Sequence, residues 1–311
     1  METFEVVMIG NTAVGKTSML SALANELDAY NLSGKVALEP TTYEFKVLQK
    51  QWNEMLEQVA SQAPFTTLSA DIGIDATLVD FVEHKFEFKV EGSVKATVLF
   101  TDTRGGMTGD LDERLVKRVN NAKGVFCVVD ASVLMECPGF KNEQYNCPKF
   151  VKKLLKDVYC DGDGKQPRFV AFVLTKCEKY MATAKGQRDL SAKFHEVYNN
   201  IVEMLKQVNV PPNVYAIAIQ TMTCVSFLKL NAAGWPEFRI LPAKELKTKD
   251  CAYPFVIVLK ELIEAIEEAD RGGFFGPLIV FLKWLGLLKD LREYLGEVDA
   301  HVEMPALYEE L

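Results

Sequence analysis

The chain is poor in histidine, lacks any excess of basic residues, has no paired C-x-x-C and contains no long apolar run, and each shortage removes a class of protein. The three histidines, His84, His195 and His301, have no carboxylate or second histidine at metal-ligand spacing, so surface or packing roles are expected of them. Asp and Glu outnumber Lys and Arg by 43 to 35, giving a net charge of −8, which argues against a surface built to neutralise a nucleic-acid backbone. A small molecule or a protein is the expected partner. The seven cysteines (127, 137, 147, 160, 177, 224 and 251) are odd in number and unpaired in spacing, so neither a disulfide framework nor a zinc ribbon is expected, and a reducing, cytoplasmic compartment is. The apolar run near the N-terminus carries Glu2 and Glu5 and no basic residues ahead of it, which reads as a strand and not a signal peptide. The most apolar stretch, Phe274 to Leu288, is interrupted by Lys283 and falls short of the roughly 17 to 25 residues that span a bilayer. No internal repeat or low-complexity tract is visible. With 49% hydrophobic and 25% charged residues over 311 positions, the chain can bury a sizeable core.

Short runs rich in Val, Ile and Phe are separated by longer segments of helical period, the pattern of a parallel sheet with crossover helices. Phe4 to Ile9, Val125 to Val129, Phe169 to Leu174 and Val214 to Ile219 are apolar and are expected as buried central strands. Thr97 to Phe100 is a further strand that ends at Thr101-Asp102. Phe86 to Val90 alternates apolar and polar residues, which predicts an antiparallel strand at the sheet edge, joined through Glu91-Gly92-Ser93 to the next. The expected fold is α/β, a six-stranded, mostly parallel sheet with one antiparallel edge strand, flanked by helices. A capping box, Thr41-x-x-Glu44, followed by Phe45, Leu48, Trp52, Met55, Leu56 and Val59 on one face, predicts a helical insertion at about 41–64. Pro254 opens a helix to about Asp270, Arg271-Gly272-Gly273 breaks it, and Pro277 starts another, so 271–311 is expected as a C-terminal helical extension of a 1–270 core. The stretches 134–149 and 161–168, rich in Gly, Pro, Asn and Asp, read as surface loops; Asp161-Gly162-Asp163-Gly164 lacks the later ligands of a calcium loop.

Gly10-Asn11-Thr12-Ala13-Val14-Gly15-Lys16-Thr17 fits G-x-x-x-x-G-K-[ST] between an apolar strand and a helix that continues through Ser18 with Met19, Leu20, Leu23 and Leu27 on one face. Two glycines let successive N–H groups point at phosphate oxygens, and the helix N-terminus adds positive potential. Lys16 is placed to reach terminal phosphates and the Thr17 hydroxyl to ligate magnesium. Such chemistry also needs a carboxylate at the end of a neighbouring strand to hold magnesium through water, and Asp102 stands there. Gly105, three residues on, can bring its N–H to a γ-phosphate.

With these residues in order, the sequence resembles the translation-factor-like and Ras-like (TRAFAC) class of P-loop GTPases. Asp102-Thr103-Arg104-Gly105 matches the family's D-x-x-G, and Thr175-Lys176-Cys177-Glu178 stands where the family has [NT]-K-x-D. Within that class it looks most like bacterial Ras-like proteins related to the double-GTPase group, which carry a long helical insertion before the second motif and serve as switches or sensors with protein partners. The resemblance implies a P-loop NTPase fold, GTP/GDP and Mg2+ as ligands, and a base held by Thr175, Lys176 and Glu178, with Gln220, Thr221 and Met222 at the fifth motif by position. Glu178 is one methylene longer than the family's aspartate, which leaves an ATPase open beside the GTPase.

The departures set further expectations. A long stretch separates Lys16 from Asp102, so the switch I region is rebuilt. Its threonine, a ligand of magnesium and γ-phosphate in relatives, has candidates in Thr66, Thr67 and Thr77, of which Thr77 is favoured because Ser69 to Ala76 is a loop running into the edge hairpin; a solvent-facing threonine at a strand start is the equal alternative. Gly106 stands where Ras-like enzymes place a water-orienting glutamine, so intrinsic hydrolysis is expected to be slow unless Arg104 or a partner supplies the missing function, Arg104 being otherwise a surface residue. Leu111, Leu115 and Val119 form one face of a helix after the second motif. Trp284, Leu288, Leu291 and Leu295 form a stripe that packs on the core or meets a partner, a membrane surface being disfavoured by Asp290, Glu293 and Glu297. Three functions remain: a GTP-hydrolysing switch, a nucleotide-bound pseudo-GTPase scaffold that docks a protein, and an ATPase.

Overall fold

The computed structural model describes residues 3–29, 36–61, 65–69, 80–90, 92–103, 112–160, 166–241, 247–271 and 307–311. In chain order these form β1 (Thr3–Ile9), α1 (Lys16–Ala29), β2 (Val36–Pro40), α2 (Thr42–Ala60), β3 (Thr67–Ser69), β4 (Phe81–Val90), β5 (Ser93–Thr103), α3 (Glu113–Asn121), β6 (Gly124–Asp130), α4 (Ala131–Glu136), α5 (Gly139–Tyr145), α6 (Pro148–Tyr159), β7 (Phe169–Thr175), α7 (Glu178–Met181), α8 (Ala184–Lys206), β8 (Asn213–Ala218), β9 (Val225–Leu230), β10 (Pro236–Ile240), α9 (Tyr253–Arg271) and β11 (Tyr308–Glu310).

The main sheet runs β11-β8-β7-β6-β1-β5-β4-β2, with β8, β7, β6, β1 and β5 parallel, as expected of the five apolar runs. Every residue of β6 and of β7 is buried, because helices cover both faces of the sheet there. Successive residues of one strand feed opposite layers. Val6 and Met8 pack with α1, α2 and α9, whereas Val7 and Ile9 pack with α3, α6 and α8.

Among the described residues the sheet has eight strands and not six. β4 pairs on one side with β5 and on the other with β2 (Val36 opposite Val90, Pro40 opposite Phe86), so it is not the edge. Its alternation reports one wet face, not a missing neighbour; period two carries information about faces and none about edges. At the far edge β11 adds antiparallel to β8, with Tyr308 opposite Ile217, and buried Leu307 accepts from the Ala218 amide. A second sheet, β3-β10-β9, is antiparallel throughout and was not expected.

The insertion helix is present as α2. The Thr41 hydroxyl accepts from the Glu44 amide, but the Glu44 carboxylate does not reach back to close the capping box; it pairs at 2.9 Å with Nδ1 of buried His84 on β4. His84 is therefore not isolated, and neither is His195, whose Nε2 lies 2.6 Å from Glu309 of β11. Leu48, Trp52, Met55 and Val59 bury the face of α2 against α1. Stretch 134–149 is helical, not a surface loop: Pro138 and Pro148 start α5 and α6, the use of proline at helix entry that a reading for turns passes over. The expected helix after the second motif is α3, capped by Asp112, with Leu115 and Val119 buried; Leu111 lies outside the described residues. So do 272–306, where the C-terminal helix is expected, and the 161–165 turn. Among the described residues no helix is long and apolar enough to cross a membrane, no three His, Cys, Asp or Glu gather as a metal-binding group, and the cysteines are all unbridged.

Candidate functional site

β1 delivers the Gly10 to Thr17 loop to the N-terminus of α1. Gly10 has φ 156°, and a Cβ there would stand 2.9 Å from the Val128 carbonyl oxygen of β6, so the loop starts flush against the neighbouring strand. Ala13 at φ 61° and Gly15 at φ 103° turn the backbone through left-handed space, the alternation that aims successive N–H groups inward. Asn11 accepts from the Thr12 amide at 2.8 Å and donates to the Gln144 carbonyl of α5. The carbonyl of buried Val14 accepts from Thr175 at 2.5 Å. The first turn of α1 leaves its N–H groups to whatever anion sits in the loop.

The Lys16 ammonium folds over the loop, donating to the carbonyls of Gly10 at 2.9 Å and Asn11 at 3.1 Å, and lies 3.8 Å from Asp102. Burial pulls it below its ordinary range, with Asp102 working in the opposite direction. From the adjacent position on α1, Thr17 donates its hydroxyl to Asp102 Oδ2 at 2.7 Å. Asp102 is 0% exposed, on β5, which the parallel pairing sets against β1 (Met8 opposite Asp102). A hydroxyl and a carboxylate oxygen thus meet at the mouth of the loop, the hard-oxygen donor set that magnesium takes when phosphate oxygens and water complete its shell.

At the end of β7 lies the other half of the site. Thr175 does not face outward: its hydroxyl is spent on Val14 and the Val129 carbonyl, holding the loop to the sheet. Lys176, at φ 53°, ion-pairs with Asp130 at 2.8 Å. Burial works to lower this ammonium, but Asp130 and other neighbouring groups outweigh it, so the net shift is upward. Glu178 is buried and accepts from the Met222 amide at 3.4 Å. Desolvation pushes its carboxyl up to about 7, with Asp130 adding to the rise while Lys176 and the backbone donors oppose it. The main chain of Gln220 is taken up in a two-way pairing with Lys249, both bonds 2.8 Å, leaving Thr221 and Met222 to face the site.

One cleft joins the two halves, running from Gly15 and Ser18 to Thr175, Lys176, Glu178, Thr221 and Met222. Its remaining wall is Met55 of α2, Leu68 of β3, Val225 of β9 and Phe238 of β10, none of which sequence reasoning assigned. Asp130 was also missed, although it ends an apolar strand just as Asp102 does. It is buried, caps α4 through the Val133 amide, and has its main chain clamped by Asn146. Thr77, Arg104, Gly105 and Gly106 lie outside the described residues. Of the other switch I candidates, Thr67 sits in β3 and Thr66 just before it.

The fold and site define a mixed α/β protein whose glycine-rich loop opens a helix beside a carboxylate-ended strand, with a second polar cluster two strands away. No family model matches the chain, and no curated protein does. Among solved structures it is similar to a bacterial selenocysteine-specific elongation factor, EF-Sec, at a TM-score of 0.34 and 12% identity over 71% of this chain and 26% of that one. A second similar structure is the S. cerevisiae Ski7 GTPase-like domain bound to GTP, at a TM-score of 0.37 and 14% identity over 70% of this chain and 43% of that one. The chain spans less than half the length of either, and likeness at this level adds nothing to the reading of the site, which rests on its own geometry.

Proposed function

We propose that this protein is a GTP-binding switch that hydrolyses GTP to GDP and phosphate with magnesium. The observation that carries the reading is the meeting of Thr17 and Asp102 at 2.7 Å beside Lys16, at the head of a helix whose neighbouring Gly15 and Ser18 line the cleft that reaches Glu178. The loop amides from Gly10 to Lys16 and the first turn of α1 bind the β-phosphate, and Lys16 exchanges its loop carbonyls for β- and γ-oxygens. Thr17 and Asp102 hold the magnesium, which when bound neutralises phosphate charge. By its place in D-x-x-G, Gly105 contacts the γ-phosphate; Thr77, the favoured switch I candidate, covers it, and the guanidinium fork of Arg104 meets charge developing there. With Gly106 after that motif, no side chain there orients the attacking water, so turnover is slow and a protein partner at the switch segments accelerates it.

The base lies in the far end of the cleft, where the Glu178 carboxylate accepts from the N–H groups of the guanine edge and Lys176, anchored by Asp130, lies along its plane. Adenine presents an acceptor where guanine has its ring N–H, so the ionised carboxylate rejects it. Equilibrium binding of GTP, GDP and ATP with magnesium, followed by single-turnover phosphate release, tests the reading. ATP binding tighter than GTP would turn the assignment to an ATPase, and tight GTP binding without release would leave a scaffold.

The Glu178 carboxyl makes base recognition depend on pH. With the free-state value near 7, the group is mostly neutral at pH 6 and mostly charged at pH 8. A base that needs the charged form should therefore bind roughly ten-fold more tightly at pH 8 than at pH 6. The Glu178→Gln variant should bind more weakly and lose the slope; calorimetric titration of GDP at both pH values measures it.

A further inference from the structure

We infer that Phe238 is the stacking platform for the nucleobase, a binding residue supplied by the small antiparallel sheet and not by the parallel core; the assignment rests on the nucleotide reading above and extends it. Glu178, Thr221 and Met222 present polar groups suited to a base edge, but an edge contact leaves both faces of a purine to be covered. Lys176 supplies one cover. The apolar part of the lining is Met55, Leu68, Val225 and Phe238, and among the described residues Phe238 is its only aromatic member.

Three features show the ring is placed and held. Phe238 lines the cleft although it is 5% exposed, and the Lys176 ammonium stands over its face, 5.7 Å from the centroid, so that face is turned toward the base-reading residues. The strand β10 puts Phe238 opposite Leu68 on one side and Phe227 on the other, and Phe227 braces it edge-on at 90° and 6.4 Å. The β9–β10 register shifts between Glu237 and Phe238; such a bulge re-aims a side chain, and bulges concentrate beside functional sites. A base entering takes the ring face now occupied by the ammonium, which keeps Asp130 at 2.8 Å as its ion-pair partner. Because stacking on an aromatic face is tolerant of base identity, Phe238 contributes affinity and Glu178 selection.

The test uses the full chain with magnesium and two probes, GDP and inorganic tripolyphosphate. Phe238→Leu should weaken GDP about ten-fold or more, the effect of removing one base-aromatic stack, while tripolyphosphate binds as to the wild type, and Phe238→Tyr should retain GDP affinity. Unchanged GDP binding by Phe238→Leu overturns the assignment and leaves the nucleotide reading intact. Equal loss for both probes also overturns it, since the residue then acts on the fold and not on the base. A wild type that binds tripolyphosphate but not GDP removes the base site and the stacking role together, and one that binds neither removes the phosphate loop as well.

Discussion

Lys16→Met should lower the affinity for GTP by on the order of 100-fold while the protein still folds. The ammonium is buried against two loop carbonyls, at 2.9 and 3.1 Å, and Asp102 at 3.8 Å is the nearby anion. Binding replaces these partners by phosphate oxygens, and truncating one member of a buried charge pair costs about 2–5 kcal/mol, of which about 3 corresponds to two decades in affinity. Methionine keeps the apolar stem and removes only the charge, so the Gly10 turn and the Thr175 bond to Val14 should persist. Titration with GTP, alongside circular dichroism to confirm the fold, measures this; wild-type affinity in the variant would remove Lys16 from the phosphate site.

Gly124→Ala should destabilise the protein by about 3 kcal/mol through overpacking alone. Gly124 opens β6 with ordinary backbone dihedrals, and its need for hydrogen comes from space: a Cβ would stand 2.0 Å from Cε1 and 2.1 Å from Cζ of Phe169. That ring cannot swing aside, being packed against Phe4 at 6.4 Å, Phe126 at 6.0 Å and Tyr215 at 6.4 Å. The loss should appear as a lowered urea midpoint with an unchanged slope. Adding Phe169→Leu should make the double variant less destabilised than the sum of the singles, because the smaller side chain vacates the space the methyl needs. A single variant as stable as the wild type would mean the strands move apart cheaply.

What could be read ahead of the structure, and what could not, divides by the range of the interaction. Phe169 to Leu174 and Val125 to Val129 were legible because a strand buried on both faces must be apolar at every position. The Gly10 to Thr17 loop was legible because its strand, turn and helix are contiguous. Asp102 was legible as a strand-end carboxylate, but its bond to Thr17 spans 85 positions and is set by the parallel register of β1 and β5. The same kind of carboxylate at Asp130 was passed over because no motif marks it. Thr175 was read for the base and is used by the loop, since a hydroxyl at that place can turn either way. Stretch 134–149 was misjudged because proline and glycine begin helices as well as end them.

Local pattern was enough to read the parallel core, the glycine-rich loop with Lys16 and Thr17, the position of Glu178 after β7, and the amphipathic helix α2. Those are written in local pattern, where side-chain periodicity and a contiguous motif leave a compositional trace. Folding alone reveals that β2 and β11 extend the sheet at its two edges, that Glu44 turns from its cap to His84, that Asp130 anchors Lys176, and that Leu68 of β3, Val225 of β9 and Phe238 of β10 line the cleft. The physical reason is that edge strands pair through main-chain N–H and C=O groups that nearly every residue carries, and that long-range ion pairs need only one charge at each of two distant places. Neither leaves a signature until the chain has folded.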